Sequence, residues 1–440
     1  MANISPQGAR VLSWIDEHRE EVIGFLQDLI RIPSVNPWFT TDGEICREGE
    51  AQALVAEKMK ALGAEIDLWE PDPADLARYE GHPGYYADHR FEGRPNLAAV
   101  VRGTGGGRSL LLAGHIDVVL PGEGWTRDPF GAERADGRIY GRGTVDMKGG
   151  VAAMIMALEA VLRSGLRPKG DVTVGTLVDE EAGGMGTLAF VDRGYGADGC
   201  FMTEPSGLMV SPLCRGILWG KLTVRGRSGH IEMPQGDWRD GGAVDAIDKA
   251  RLFLDQIDRL NRDWKDRKTH PLQPTPCQVY VSQIAAGEYP TSFANRAEIH
   301  FNAQYLPSEA DEKGRGTAVQ AEIETFFRRV AETDPWLREN PPEVEWLIDA
   351  DCGEIPGDHP FVTLCAESLR ALGVDPVVQG SSCHTDMGWF IRRGTPTVNF
   401  GPGDPRIAHH TDEFVEEEEL LTATKAMALA LVDWCGVDEA

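Results

Sequence analysis

The arrangement of short apolar segments constrains the fold of this chain more than any other feature. Apolar runs at 96–102, 109–114, 171–178 and 199–203 alternate with segments whose apolar residues recur at helical spacing. Such alternation is typical of a mostly parallel sheet that is covered by helices, a three-layer α/β/α arrangement. We therefore predict an α/β fold for the first half of the chain.

The domain organisation follows from where this pattern stops and resumes. Beyond about residue 215 the pattern changes to alternating strands, as in ILWGKLTVRGRS, and the α/β pattern returns after about residue 350. We predict a discontinuous catalytic domain, residues 1–215 and 351–440, with an α+β lid domain inserted at 216–350. In the returning part we expect the strand 396–400 and a short strand near 375–378.

Composition excludes several classes of partner. The formal net charge of −27 would repel a phosphate backbone and an anionic membrane, so we expect neither nucleic acid nor membrane as a partner. The eight cysteines form no Cys-x-x-Cys pair and indicate reduced thiols. No basic segment followed by an apolar stretch opens the sequence, and no window of 18 residues is apolar and uncharged. These features predict a soluble, cytoplasmic protein.

Acids and histidines stand where the predicted strands end. The run SLLLAGHIDVV ends in His115 and Asp117, which share one face of the strand because side chains alternate along it. Asp146 lies in a glycine-rich turn just before a helix. Taken singly, each has a simpler interpretation: a hydrogen-bonded histidine beside a capping acid, and a helix N-cap.

Further acids follow two more strands, and a pair of histidines lies near the C-terminus. DVTVGTLV leads into Glu180 and Glu181, GCFMT leads into Glu204, and His409 and His410 follow a glycine-rich turn. Carboxyl ends of parallel strands meet at one edge of a sheet, where ligands bind in α/β folds. Imidazole and carboxylate donors without thiolate suit paired divalent metals. We predict two divalent ions, zinc in the first place, with cobalt or manganese as alternatives.

These segments resemble a known family of metallopeptidases. The family includes acetylornithine deacetylase, succinyl-diaminopimelate desuccinylase, aminoacylase and glutamate carboxypeptidase, and the resemblance covers nearly the whole chain. It is carried by six motifs, in this order: GHIDVV, GRGTVDMKGG, VDEEAGGMGT, TEPSG, RSGHIEMP and AHHTDEFV.

The resemblance implies a role for each matching residue. Asp146 would bridge two metals, with His115 and Glu204 on one and Glu181 and His409 on the other. Asp117 would orient His115. Glu180 would be the general base that takes a proton from a water held between the metals.

Two further histidine assignments follow from the same resemblance. His409 is preferred to His410 because the family pattern His-x-x-Asp-Glu reads from His409 to Glu413 here. His230, in RSGHIEMP, would reach the substrate carbonyl from the lid as an oxyanion donor, often from a neighbouring subunit. A surface-loop histidine is the alternative, and the resemblance implies a homodimer formed through the lid domain.

The sequence departs from the family pattern where many relatives bind a substrate carboxylate through an arginine. By spacing, that arginine is replaced by Gln304, which cannot supply a charged fork. The substrate carboxylate is then absent or bound by another cation, such as Arg215 or Arg296. Thr385 and Asp386 resemble a family Thr-Asp pair, although the preceding His384 is less usual; no role is predicted for it.

The function that the resemblance implies is hydrolysis of an amide-type C–N bond in a small molecule. The leading hypothesis is an N-acyl amino acid deacylase, acetylornithine deacetylase-like or carboxypeptidase-like. The first alternative is a family member that acts on a carbamate, a urea, an aryl amide or an aryl amine. A non-catalytic binding protein is the remaining alternative, and it would normally have lost a ligand or the base. The remaining histidines show no ligand pattern, and no role is predicted for them: His18, His82, His89, His270, His300 and His359.

Overall fold

A computed structural model describes residues 4–440, and in these residues the chain divides into two compact units. The first unit comprises the chain up to Cys214 and from Gly353 onward, and the second comprises Arg215–Cys352. The α-helices are α1 Pro6–Glu17, α2 Arg19–Ile30, α3 Glu48–Ala61, α4 Lys148–Arg163, α5 Met185–Asp192, α6 Ala246–Arg267, α7 Thr317–Ala331, α8 Pro335–Glu339, α9 Pro360–Ala371, α10 Met387–Arg392 and α11 Glu417–Cys435. The strands are β1 Glu65–Trp69, β2 Asn96–Val101, β3 Leu110–His115, β4 Arg134–Ala135, β5 Arg138–Tyr140, β6 Leu166–Pro168, β7 Val172–Leu177, β8 Cys200–Met202, β9 Leu213–Cys214, β10 Gly216–Arg225, β11 Val279–Ala286, β12 Arg296–Tyr305, β13 Glu343–Ala350, β14 Gly353–Glu354, β15 Thr397–Asn399, β16 Phe414–Glu416 and β17 Val437–Glu439.

The first unit is built on a six-stranded sheet in the order β1-β2-β7-β3-β8-β15. Strands β7, β3, β8 and β15 run parallel, whereas β1 and β2 form an antiparallel edge. Strands β2, β3, β7 and β8 are buried along their whole length, as their continuous apolar sequences require of a sheet with helices on both faces. The predicted mostly parallel α/β fold is therefore confirmed.

Helix α4 packs against β3 and against α11, α1 and α2. Almost all of its residues are buried, which agrees with its apolar sequence GGVAAMIMALEAV. The helix begins at Lys148, two residues after Asp146, so its packing fixes the place of that acid relative to the sheet.

One predicted element of this unit is wrong. No strand forms near 375–378; instead Val378 makes a single bridge to Val210. Pro376 has no N–H group to donate to a ladder, which explains why pairing does not extend along the segment.

The second unit is an antiparallel sheet in the order β11-β12-β10-β13, with α6 and α7 in its own hydrophobic core. Side chains of β12 alternate between buried and less buried positions, as expected for a sheet with one covered face. Helix α6 is capped by Asp245, whose side chain accepts a hydrogen bond from the Ile247 N–H group. The function of this unit as a lid and dimerisation domain stays a prediction.

None of the helices in residues 4–440 combines the length and the apolarity that crossing a bilayer requires.

Candidate metal centre

Three neighbouring parallel strands carry acids or a histidine at the same edge of the sheet. His115 is the last residue of β3, and it lies opposite Leu177, the last residue of β7. Glu180 and Glu181 follow β7 in a short 3-10 turn, and Glu204 follows β8 by two residues. The parallel register thus brings residues distant in sequence to one place.

Asp146 lies between two histidines, one on each side. Its Oδ1 atom is 3.1 Å from His115 Nε2, and its Oδ2 atom is 3.2 Å from His409 Nε2. His115 Nε2 is also 3.4 Å from Glu204 Oε1, and His409 Nε2 is 3.4 Å from Glu181 Oε2. Two groups therefore share Asp146: one with His115 and Glu204, the other with Glu181 and His409.

Glu180 lies beside the first of these groups. Its Oε2 atom is 3.8 Å from His115 Nε2, and its side chain is largely but not fully buried. The structure therefore brings all five residues of the predicted ligand set and the predicted base together, although the role of each stays a prediction.

The loop that carries Asp146 is held by Glu413, a buried residue for which no role was predicted. Glu413 Oε1 accepts hydrogen bonds from the N–H groups of Gly143 (3.1 Å), Val145 (2.8 Å) and Asp146 (3.3 Å), and its other oxygen pairs with Arg142. The Glu of the His-x-x-Asp-Glu motif thus supports the Asp146 loop from within the segment that carries His409.

Asp117 contacts not only His115, as predicted, but also the turn that follows β7. The His115 Nδ1 hydrogen bond goes to the main-chain oxygen of Asp117 (2.8 Å), while the carboxylate Oδ1 lies 3.6 Å from Nδ1. The carboxylate oxygens accept the N–H groups of Glu180 and Glu181, each at 3.2 Å, and the side-chain amide of Asn36 at 2.8 Å. Asp117 therefore positions the turn that carries the predicted base.

The pKa values of these groups reflect crowding of negative charge in a buried place. Burial raises the pKa of Glu204 to about 7, although His115 acts in the opposite direction. Burial also raises the pKa of Glu180 well above its ordinary value, with contributions from Glu204 and Asp386. For Asp146 burial acts upward too, but hydrogen bonds from both histidines hold its pKa below the ordinary range.

The donor set fits a pair of divalent cations. The Oε1 atom of Glu181 is buried and accepts no hydrogen bond from any residue in 4–440, which is costly for a carboxylate unless a cation is bound. The donors are imidazole nitrogens and carboxylate oxygens, which suit zinc, cobalt and manganese.

Glu180 also belongs to a further group of three. Ligand-type atoms of Glu180, His384 and Asp386 are all within 4.8 Å of one another. His384 Nε2 is 3.6 Å from Asp386 Oδ1, and the Thr187 hydroxyl donates to the other oxygen of Asp386. Asp386, the acid of the Thr-Asp pair noted in the sequence, therefore lies beside the predicted base.

The remaining predicted residues lie in the second unit. His230 is exposed and its main chain forms a bridge with Ser292. Arg215 is buried and donates to Gln304 Oε1 at 3.1 Å, whereas Arg296 is exposed and pairs with Glu298. Both cations that could replace the missing arginine thus have partners within their own unit.

An α/β unit whose strand ends carry two imidazole and carboxylate groups around a shared aspartate defines a class, that of metal-dependent hydrolases. Comparison with known proteins gives the particular family. The sequence profile of Peptidase family M20/M25/M40 matches residues 111–433, and the chain belongs to this family. The predicted family is confirmed, and with it the class of metal-dependent hydrolases that act on C–N bonds.

Two curated relatives cover nearly the full chain. The chain is 29% identical to an N-formyl-4-amino-5-aminomethyl-2-methylpyrimidine deformylase of Halalkalibacterium halodurans over 98% of both sequences. It is 37% identical to a succinyl-diaminopimelate desuccinylase of Leptothrix cholodnii over 90% of this chain and 94% of the relative. Among solved structures, the dipeptidase Dug1p of Saccharomyces cerevisiae superposes with a TM-score of 0.75 at 14% identity, over 97% of this chain and 98% of that one, and shares the fold.

Proposed function

We propose that this protein hydrolyses an N-acyl bond of a small molecule with two divalent metal ions, preferably zinc, and with Glu180 as general base. Asp146 would hold both ions, the first together with His115 and Glu204 and the second together with Glu181 and His409. One observation carries the proposal: the two Asp146 oxygens lie 3.1 and 3.2 Å from two different histidines. A bridging carboxylate needs this geometry.

The chemistry divides between the ions and the chain. Bound divalent ions lower the pKa of water and polarise the scissile carbonyl. The Glu180 carboxylate then accepts the proton of the attacking water and delivers it to the leaving nitrogen. His230, from the second unit, is proposed to donate a hydrogen bond to the developing oxyanion.

The test compares Glu180→Gln with Glu181→Gln in protein purified with zinc. Amine release is measured on N-formyl, N-acetyl and N-succinyl amines and on dipeptides, and zinc per chain is measured by elemental analysis. We expect Glu180→Gln to lower kcat by roughly 10²–10⁴-fold with two zinc ions retained. Glu181→Gln should instead lose zinc. Full activity of Glu180→Gln would contradict the proposal.

A second candidate concerns the substrate rather than the reaction. The leading hypothesis from the sequence, an N-acyl amino acid, requires a cation for the substrate carboxylate. Arg215 is bound to Gln304 and Arg296 to Glu298, which supports a substrate without that carboxylate. The full-length similarity to a deformylase whose substrate name contains an N-formyl aminomethylpyrimidine supports the same choice.

This candidate is tested with pairs of substrates. An N-formyl amine without a carboxylate should exceed its N-formyl amino acid counterpart in kcat/KM by roughly 10²-fold, because an unpaired carboxylate would have to be desolvated. The opposite order would restore the amino acid derivative as the substrate class.

Assembly and location complete the proposal. Strand β11 is an edge strand of the second unit and exposes Tyr280, Val281 and Ile284, which supports a homodimer through this unit. The cysteines in the described part of the chain are free thiols, which supports a cytoplasmic location.

A further inference from the structure

The turn that carries Glu180 and Glu181 begins with a residue in an unusual backbone conformation. Asp179 has φ 72° and ψ 16°, in the left-handed region that favours glycine. Its main-chain oxygen accepts the Gly184 N–H group at 2.8 Å and so closes the turn. The direction in which Glu180 points therefore depends on what keeps Asp179 in this conformation.

Both carboxylate oxygens of Asp179 are bound by buried side chains. Oδ2 lies 2.7 Å from His89 Nδ1, and Oδ1 accepts from Arg94 Nη2 at 3.0 Å and from Asn36 Nδ2 at 3.3 Å. His89, Arg94 and Asn36 are each less than a tenth exposed. The Asn36 amide also donates to Asp117, so one side chain links Asp179 with the acid that accepts the N–H groups of the turn.

The groups that bind Asp179 are themselves fixed. The His89 ring is stacked on Tyr86, with centroids 4.7 Å apart, and lies 5.0 Å from the Trp38 ring. Arg94 forms an ion pair with buried Glu48. Tyr86 also contacts the far end of the turn, since a side chain at Gly183 would collide with its ring. Two aromatic rings and an ion pair thus hold the donors in place.

We propose that His89, with Arg94 and Asn36, is a positioning residue that holds Asp179 in its left-handed conformation and so directs Glu180 toward the substrate. The inference rests on the proposed role of Glu180. His89 itself does not touch the reacting atoms; it acts through Asp179. In the sequence His89 lies in a polar segment with no ligand pattern. Only the fold brings it into hydrogen-bond contact with Asp179, the residue that directly precedes Glu180.

The first test replaces His89 by Ala and by Asn in the zinc-loaded protein. Asn can place its Nδ2 donor where His89 Nδ1 lies, so it should restore the hydrogen bond that Ala removes. We expect His89→Ala to lower kcat by about 10–100-fold at unchanged KM and unchanged zinc content, whereas His89→Asn should stay within about threefold of the parent. Amide hydrogen exchange of residues 179–184 should accelerate in His89→Ala and not in His89→Asn, a readout independent of activity.

His18→Ala is the matched control. His18 also stacks on an aromatic ring, that of Trp14, and also uses Nδ1, but its partner is the main-chain oxygen of Trp14. Loss of one stacked histidine in itself should therefore leave kcat unchanged. Parent-like kcat in His89→Ala, or equal losses in the Ala and Asn variants, would overturn the inference.

A double-mutant cycle tests whether His89 acts through Asp179; where His89→Ala does not fold, His89→Leu, which fills the space of the ring without a donor, takes its place. Glycine adopts the left-handed region without a holding carboxylate, so the same replacement of His89 should lower kcat much less in an Asp179→Gly background than in the parent. Additive losses would overturn the inference. If Glu180→Gln were fully active, the proposed function would fail; if Glu180→Gln is inactive and His89→Ala is not impaired, only this inference fails.

Discussion

At the scale of single residues, Asp117 is the acid whose replacement should be most informative. Its carboxylate accepts two N–H groups from the turn of Glu180 and Glu181, and it is fully buried. Asp117→Asn would set an amide N–H₂ against one of these donors. We expect a loss of about 1–3 kcal/mol in the free energy of unfolding and about a 10–100-fold lower kcat. Urea unfolding and steady-state kinetics measure both, with exposed Asp75→Asn as control; an unchanged kcat would contradict this role.

The choice between the two adjacent histidines also belongs to the residue scale. His409 Nε2 lies within 3.4 Å of two acids, Asp146 and Glu181. We expect His409→Ala to bind fewer than two zinc ions per chain and His410→Ala to keep two, because only the first removes a donor from the shared group. Elemental analysis of both variants decides, and zinc loss confined to His410→Ala would reverse the assignment.

The sequence could predict those site residues that stand at strand ends or in recognisable motifs. His115 and Glu204 follow apolar runs directly, so the sheet edge on which they meet could be foreseen. Asn36 and His89 could not, because their role depends on hydrogen bonds to Asp179, 143 and 90 residues away in sequence. Glu413 was visible as part of a motif, but which loop it supports is a property of tertiary packing.

At the scale of elements, helix α4 shows where packing overrides helix propensity. A Cβ atom at Gly150 would lie 1.7 Å from the main-chain oxygen of Thr203, the residue before Glu204. Gly150→Ala should therefore lower the free energy of unfolding by about 1–3 kcal/mol and lower kcat, although alanine favours helices. Gly24→Ala in α2 is the matched control, since open space surrounds its Cβ position. There we expect a gain of about 0.5–1 kcal/mol; thermal unfolding compares the two, and a stabilised Gly150→Ala would refute the argument.

Most elements were predictable because their apolar patterns agree with their burial. The continuous run VTVGTL becomes the fully buried β7, and the periodic segment within α6 becomes a helix with one buried face. The segment 375–378 was not predictable from apolarity alone, since Pro376 interrupts the main-chain donors that a strand requires. Pairing partners, such as the antiparallel edge formed by β1 and β2, follow from packing rather than from any local pattern.

At the scale of the whole molecule, metal binding should contribute a large part of the free energy of unfolding. Burial raises the pKa of Glu180 and of Glu204, so without cations the negative charges of these two acids destabilise the folded chain. Zinc at 100 times its Kd should add about 2.7 kcal/mol for each site. Calorimetry should show a lower Tm for the EDTA-treated protein than for the zinc-loaded protein. The Tm should be restored when zinc is added back. A smaller restoration is expected in Glu181→Gln, and identical curves for all three states would contradict the proposed centre.

Assembly is the last property of the whole molecule that the surface predicts. Strand β11 pairs with β12 on one side only, and it carries Tyr280 and Ile284, each half exposed or more. An apolar edge of this kind favours pairing with a second chain, because unpaired main-chain groups and apolar side chains are covered together. Ile284→Lys should shift the proposed dimer to monomer in sedimentation velocity, whereas Val377→Lys, which changes an equally exposed residue of the other unit, should not. If Ile284→Lys dissociates the dimer and kcat falls with the dimer fraction, the active state requires both chains. This result is expected if His230 acts on the active site of the neighbouring subunit. A fully active monomer would confine the site to one chain.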